Sequence, residues 1–343
     1  MPHQTFGAIC DREGTMKRRR FFGLVAGAVA WPFVAPAQQG AGMRRLGVLA
    51  GYAANDSLGQ LLAAILPRGL AALGWSEGQN IYIDWRWASG DPKLYESYAA
   101  EVVALRPDVL VVQSSAAVVA LRRSDNAIPT VFVMITDPLG QGFVNNLAHP
   151  AGHMTGFSDY DPPIASKWVE LLKQIKPAIA SVSLLYNPAS TPFADLILRA
   201  VQPAARSLAV TARSSACRDD ADIDAAMKLA RDARGGVLVM PEVFTTVHRD
   251  AIVAAAARHR VPAIYPDEIS TTRGELMSYG IDPADVFLRS ASYVDRILKG
   301  ESPGDLPVQN PTKFTLTISL KTARAMGLPV PPTLLALADA VTE

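Results

Sequence analysis

The chain has 343 residues, of which 49% are hydrophobic and 19% charged, with a formal net charge of +1. That length supports two ordinary domains with substantial cores. The near-neutral balance argues against nucleic acid or an anionic membrane surface as partner, and two cysteines make no disulfide framework.

The start of the chain reads as an address. Met16-Lys17-Arg18-Arg19-Arg20 is a cationic n-region, and Phe21 to Val34 is an apolar stretch broken only by Gly23, Gly27 and Pro32. Ala35-Pro36-Ala37 is a small-x-small cleavage site before Gln38. The apolar stretch is short for a membrane span, which predicts a cleaved export signal. Paired arginines at Arg18 and Arg19 suit either the general or the twin-arginine route, and both stay open. Residues 1–15 have no pattern, so translation is expected to begin at Met16. Within residues 1–37, Arg12, Lys17, Arg18, Arg19 and Arg20 outweigh Asp11 and Glu13 by three charges, which leaves the remainder at about −2. Cys217 then stands alone, with no cysteine at the cleavage point for a lipid anchor. The expected product is a free, soluble protein in an oxidising, periplasmic compartment.

From Arg45 the pattern alternates strand and helix. Arg45 to Ala50 is a strand, Tyr52 to Ser57 a polar loop, and a helix follows to Leu73 with Pro67 as an interruption. Asn80 to Trp87 reads as a strand, with Trp85 and Trp87 on one face in a structural role, and Asp91-Pro92 opens a helix to Leu105. Val109 to Val112 is apolar without alternation, the mark of a strand buried on both faces. Ala116 to Arg123 has helical spacing, and Thr130 to Ile135 is a second buried strand, so this stretch is a parallel crossover. Phe143 to Leu147 reads as a helical turn and Met154 to Phe157 as a short strand.

The pattern then restarts. Helices are expected at Ile164 to Ile175, Phe193 to Leu208, Ala221 to Ala233, His248 to His259 and Asp285 to Leu298. Strands are expected at Val182 to Tyr186, near Val210, at Gly236 to Met240, Pro262 to Tyr265 and Glu275 to Tyr279, with Phe314 to Ser319 and the tail finishing the second lobe. Leu46 to Leu49 is answered by Val182 to Leu185, Asp108 to Val112 by Gly236 to Met240, and Ile128 to Phe132 by Val261 to Tyr265. Offsets near 130 residues predict two copies of one doubly wound α/β unit, two parallel-sheet lobes around a cleft.

Open parallel sheets bind ligands beyond the carboxyl ends of their strands. Those ends carry Asn55, Asp56, Ser57, Ser114, Ser115, Thr136 and Asp137 in the first half, and Asn187, Glu242 and Asp267 in the second. Ser114 and Ser115, opening a helix, suit an anion, and Asp137 suits a cation. Each also has a plainer role: Asn55 to Ser57 and the serine pair as helix caps, Asp137-Pro138 and Asn187-Pro188 as turns. Phe244, Tyr265 and Tyr279 could stack on an aromatic solute or fill core. Together these residues point to a small polar, amino-acid-like solute, and such a chain is most simply a solute-binding protein.

Catalytic and metal signatures are weak. Gly140-Gln141-Gly142-Phe143-Val144-Asn145 lacks the third glycine of a dinucleotide fingerprint, and neither a G-x-S-x-G elbow nor a phosphate-loop lysine occurs. His149 and His153 are separated by Pro150 and Gly152, which deny them a helix face. His248 and His259 read as surface, and Cys217 as a small packed side chain. No catalytic residue, metal or cofactor is expected. The competing reading is an exported α/β enzyme, a hydrolase or sugar-processing activity, using Asp137 and Glu242 across the cleft.

Blocks along the chain resemble the substrate-binding components of ABC transporters, in the family that includes tryptophan and tyrosine binders. They are Arg44 to Leu49 with Asn55-Asp56, Leu73 to Asn80, Tyr186-Asn187-Pro188, Tyr279-Gly280, Tyr293 to Gly300, Leu306 to Gln309 and Pro311 to Phe314. The resemblance covers nearly all of the chain after the leader. It implies the type I periplasmic-binding fold and a hinged, monomeric receptor that delivers a solute to an ABC permease in the inner membrane. On this reading residues 43–157 and 281–308 form lobe 1, and residues 158–280 and 309–343 form lobe 2.

Overall fold

The computed structural model describes residues 42–343 except 161, 192 and 268–273. The leader, Met16 and the cleavage site after Ala37 lie outside the described residues.

The first sheet is built on β3 (Val109–Gln113), buried at every position. Because successive side chains point to opposite faces, β3 feeds two cores. Val109 and Val111 face one core, Leu110 and Val112 the other. Among the described residues the sheet order is β2-β1-β3-β4-β5, with β1 (Arg44–Ala50), β2 (Ile81–Trp87), β4 (Thr130–Ile135) and β5 (Met154–Ser158), and every pairing is parallel. Helix α1 (Ser57–Ala72) covers one face through Leu62 and Leu66. Helices α2 (Pro92–Ala104) and α3 (Ser115–Arg122) cover the other through Tyr95, Val102 and Val118. Burying such side chains contributes about 1.5–3 kcal/mol each, so the sheet holds helices that propensity alone would leave marginal.

The second sheet has the order β12-β11-β10-β9-β8-β6-β7. Its strands are β6 (Ser181–Tyr186), β7 (Thr211–Ala216), β8 (Gly235–Val239), β9 (Ala263–Asp267), β10 (Met277–Ile281), β11 (Thr315–Ser319) and β12 (Ala340–Thr342). Pairing is parallel except between β10 and β11. One face packs α4 (Pro162–Ile175) and α5 (Ala194–Ser207) through Trp168, Leu172 and Ile197. The other packs α6 (Asp220–Asp232) and α8 (Arg249–His259), preceded by the short α7 (Val243–Val247). Helices α10 (Leu320–Met326) and α11 (Pro332–Leu335) occupy the tail.

Helix α9 (Pro283–Leu298) leaves the second sheet and returns to the first, against α1. The approach is close: a β-carbon on Gly69 would stand 2.8 Å from that of Ala291. The Trp75 Nε1–H donates to Asp295 at 2.8 Å and fixes the far end. The chain passes between the sheets at Ser158 to Tyr160, at Ile281 to Pro283, and again after Gln309, whose backbone pairs with Gly156 and Ser158.

Several expected elements differ. Phe143 to Leu147 is not a helical turn. Phe143 N donates to the Pro138 carbonyl and Leu147 O accepts from Val308 N, so the segment is tied to the returning chain instead. The strand expected from Glu275 begins at Met277, while Glu275 is drawn into a buried ion pair with Arg249. Helix α1 runs through Pro67 without a break. His259, read as surface, is nine-tenths buried at its side chain, with Nε2 2.9 Å from Asp224.

Candidate functional site

The carboxyl ends of both sheets line one cavity. From the first come Tyr52, Tyr95, Gln113 to Ala116, Met134, Thr136 and Asp159; from the second Ser190, Phe193, Glu242, Thr246 and Asp267. Its space is about 470 Å³ with the mouth included, but a water molecule's centre has only about 30 Å³ in which to move. A wider outer chamber, about 1220 Å³ with its open mouth included, adjoins it across Tyr95, Ala116 and Ser190, which line both. A solute of more than a few atoms therefore needs the walls to part before it enters the inner cavity.

The walls are shaped at the ends of β1, β3 and β4. Gly51 N donates to the buried Gln113 Oε1 at 2.9 Å. A β-carbon at Gly51 would meet Tyr95 Oη at 2.5 Å, Val243 Cγ2 at 2.7 Å and Ser114 Oγ at 2.8 Å, so only glycine lets these three groups converge. Ser114 has φ of 90° and Met134 φ of 56°, the left-handed region that non-glycine residues rarely adopt. Both line the cavity, and backbone strain of this kind is held where the surroundings over-determine it. Ser114 Oγ accepts from Ala117 N, capping α3, and donates to Tyr95 Oη, each at 3.3 Å. Ser115 Oγ accepts from Gln141 Nε2 at 3.0 Å. The N–H groups of Ser115 and Ala116, in the first turn, have no intrahelical acceptor.

Carboxylates dominate the chemistry. Asp159 is 6% exposed and accepts from Thr136 Oγ1 at 2.9 Å. Burial pushes its pKa up to about 7, the Thr136 bond opposes this, and the charge of Asp267 adds to it. Asp267, 5% exposed, is held by Arg249 Nη1 at 2.7 Å, and Arg249 also binds Glu275. Glu242 is likewise pushed up to about 7 by burial, against hydrogen bonds from Ser190 and the local backbone. Its Oε2 accepts from Ser190 Oγ at 2.7 Å and Phe244 N at 2.8 Å, and its Oε1 from Asn187 N at 3.1 Å. Burial, then the charges of Asp267 and Asp159, raise the Tyr52 hydroxyl, and all three residues line the same cavity.

Of the residues expected from sequence, Ser114, Ser115, Thr136, Glu242 and Asp267 come together in the inner cavity, and Asn187 and Phe244 line the outer chamber. The rest stand apart. Asp56 caps α1 through Gly59 N, with exposed Asn55 and half-buried Ser57 beside it. Asp137 closes a turn by accepting from Gly140 N at 2.8 Å and does not line the cavity. Tyr265 is core beneath the Arg249 guanidinium, 5.5 Å from its ring centroid. Tyr279 stacks on Phe314. With Asp137 in a turn and Glu242 capping α7, the acid–base pair expected for an enzyme is not assembled. Tyr52, Tyr95, Gln113, Asp159, Ser190 and Phe193 were not anticipated. Tyr52, Gln113 and Asp159 sit at or just past the ends of β1, β3 and β5, so the strand-end rule alone could have found them.

Comparison with known proteins agrees with this architecture. The family model for ABC transporter substrate binding proteins matches residues 54–342. A tyrosine-binding protein of Clostridioides difficile is 24% identical over 262 residues, spanning 76% of this chain and 75% of the relative. Among solved structures, a conserved domain protein from Vibrio cholerae is 27% identical, covers 88% of this chain and 100% of its own, and has a TM-score of 0.81. An ABC domain from Streptococcus pneumonia in complex with L-Trp is 24% identical, with coverages of 87% and 99% and a TM-score of 0.79. The two α/β lobes are thus of the type I periplasmic-binding kind.

Proposed function

The chain belongs to the ABC transporter substrate-binding proteins, and from that premise we propose that it is the extracytoplasmic receptor of an importer that captures an aromatic amino acid between its lobes. The family binds substrate and does no chemistry on it. The observation that carries the reading is the make-up of the inner cavity: the rings of Tyr52, Tyr95 and Phe193 stand with Asp159, Asp267 and the start of α3. Rings give an aromatic solute its stacking surface, carboxylates an ammonium partner, and the N–H groups that open α3 an oxygen partner. Relatives that bind tyrosine or tryptophan support this choice of solute.

Residues 43–157 with 281–308 form lobe 1, and residues 158–280 with 309–343 form lobe 2; Asp159, at the first crossing, is held to lobe 1 by Thr136 Oγ1 and the Ile135 carbonyl. The connecting segments act as a hinge, and the solute is handed to a permease in the inner membrane. Export through the leader brings the protein to the periplasm; among the described residues, no helix is long and apolar enough to cross a membrane.

Calorimetric titration with tyrosine, tryptophan and phenylalanine, beside myo-inositol and ribose as polyol controls, tests the reading. Saturable binding of at least one aromatic amino acid, recovered chemically unchanged, is expected. Binding confined to the polyols, or turnover of the solute, would overturn it.

A further inference from the structure

We propose that the outer chamber is a second solute subsite, so that short peptides, two residues joined by one amide, belong to the substrate class beside the free amino acid. The inference rests on the reading of the inner cavity given above and extends it outward.

In the outer chamber a water molecule's centre has about 470 Å³ in which to move, against about 30 Å³ in the inner cavity. This room is not a gap left by parted walls. Val243 lines the inner cavity, and its Cγ2 stands 2.7 Å from the place a β-carbon on Gly51 would take, so the two halves already touch there. The chamber beside that contact stays open. Its walls carry apolar groups from both halves, Ala116 and Val119 on α3, Phe244 and Val247 on α7. Val119 is half-buried and Val247 is 43% exposed, so each keeps apolar surface that a solute can cover. Two polar residues of the lining are already engaged: Arg123 pairs with Glu96 at 2.5 Å, and His248 Nδ1 lies 2.6 Å from Asp220. A chamber of this size with apolar walls is the usual form of a small-molecule site.

The neck between the two spaces decides what can link their occupants. Tyr95, Ala116 and Ser190 line both. Tyr95 Oη accepts from Ser114 at 3.3 Å and keeps its own proton to donate. Ser190 Oγ gives its proton to Glu242 at 2.7 Å and keeps lone pairs to accept. One donor and one acceptor are what the C=O and N–H of a single amide need. An amide crossing the neck therefore exchanges water for protein partners instead of losing its hydrogen bonds. A side chain in the inner cavity, an amide at the neck and a second, apolar side chain in the outer chamber together describe a dipeptide.

The test is calorimetric titration of the purified protein with tyrosine and with the dipeptides tyrosylalanine, alanyltyrosine, tyrosylleucine and leucyltyrosine. At least one leucine-bearing dipeptide should bind about tenfold or more tighter than tyrosine, and tighter than its alanine counterpart, because the leucine side chain covers the apolar walls. Val247→Asp changes an exposed position that lines the outer chamber but not the inner cavity. It should weaken that dipeptide by about tenfold while leaving tyrosine within about twofold. The panel on the unaltered protein decides the matter even if the variant does not fold. Dipeptides that bind no tighter than tyrosine, or leucine no better than alanine, overturn the inference and leave the inner-cavity reading standing. So does a dipeptide whose affinity the change at Val247 leaves untouched. Binding by dipeptides without tyrosine upholds the inference and removes the free amino acid as solute, and failure of every probe overturns both readings.

Discussion

Asp159 is the side chain whose chemistry burial changes most usefully. Its carboxyl titrates near 7 in the folded protein against 3.8 when unperturbed, because desolvation disfavours its charge. A raised carboxyl pKa means that the protonated form favours folding. This contribution to stability is therefore complete below about pH 4 and lost as pH rises through about 7. A cationic solute acts in the opposite sense, since it favours the ionised form. Among the described residues, the groups bearing on Asp159 are Thr136, Tyr52 and Asp267, and none of these supplies a positive charge of its own. Affinity for an amine-bearing solute should therefore rise between pH 5 and 8, approaching about tenfold per unit on the acid side, with a proton released on binding. Calorimetry in two buffers of different ionisation enthalpy measures that release. Glu242 titrates in the same window, so the decisive comparison is Asp159→Asn, in which most of the pH dependence should vanish. Affinity that is flat across this range in the unaltered protein would exclude Asp159 from the solute's surroundings.

At the scale of elements, α9 is what makes the two halves interdependent. It follows β10 of the second sheet in sequence yet fills the core of the first, packing on α1 where Gly69 faces Ala291. Replacing a helical glycine normally stabilises the helix by about 0.5–1 kcal/mol. Here a large side chain has no room. Gly69→Leu should cost about 1–3 kcal/mol through overpacking, read as a lower midpoint of denaturant unfolding. An equal or higher midpoint would show that α1 and α9 do not meet as described. Elements of this kind were legible because burial leaves a periodic trace. Val109 to Val112 and Val131 to Ile135 are apolar throughout since both faces are covered, and the alternation of strand and helix follows from that. The site was legible only in part, because a strand-end polar residue reads the same whether it caps, turns or binds. Asp137 and Asp159 are both acids near strand ends, and only the three-dimensional path shows the first accepting from its own turn and the second buried in the cavity that Asp267 also lines. Tyr95 left no local signal at all, since a tyrosine on a helix face looks like core until the neighbouring lobe is in place.

For the molecule as a whole, the geometry of the cleft implies motion. Both sheets contribute carboxyl-end residues to an inner cavity too narrow for an amino acid, beside a wider chamber that reaches it past Tyr95 and Ser190. Val243 of the second lobe reaches Gly51 of the first, so the cavity closes by contact between lobes. On the proposed reading, a solute touching the carboxyl ends of both sheets binds the closed arrangement more tightly than the open one, and shifts the population by that difference in affinity. Small-angle X-ray scattering of the purified protein, with and without a saturating concentration of the tightest-binding aromatic amino acid, tests capture by closure most directly. The radius of gyration should be smaller with the solute than without it. Saturating, tightly bound solute that leaves the radius unchanged would contradict capture between closing lobes.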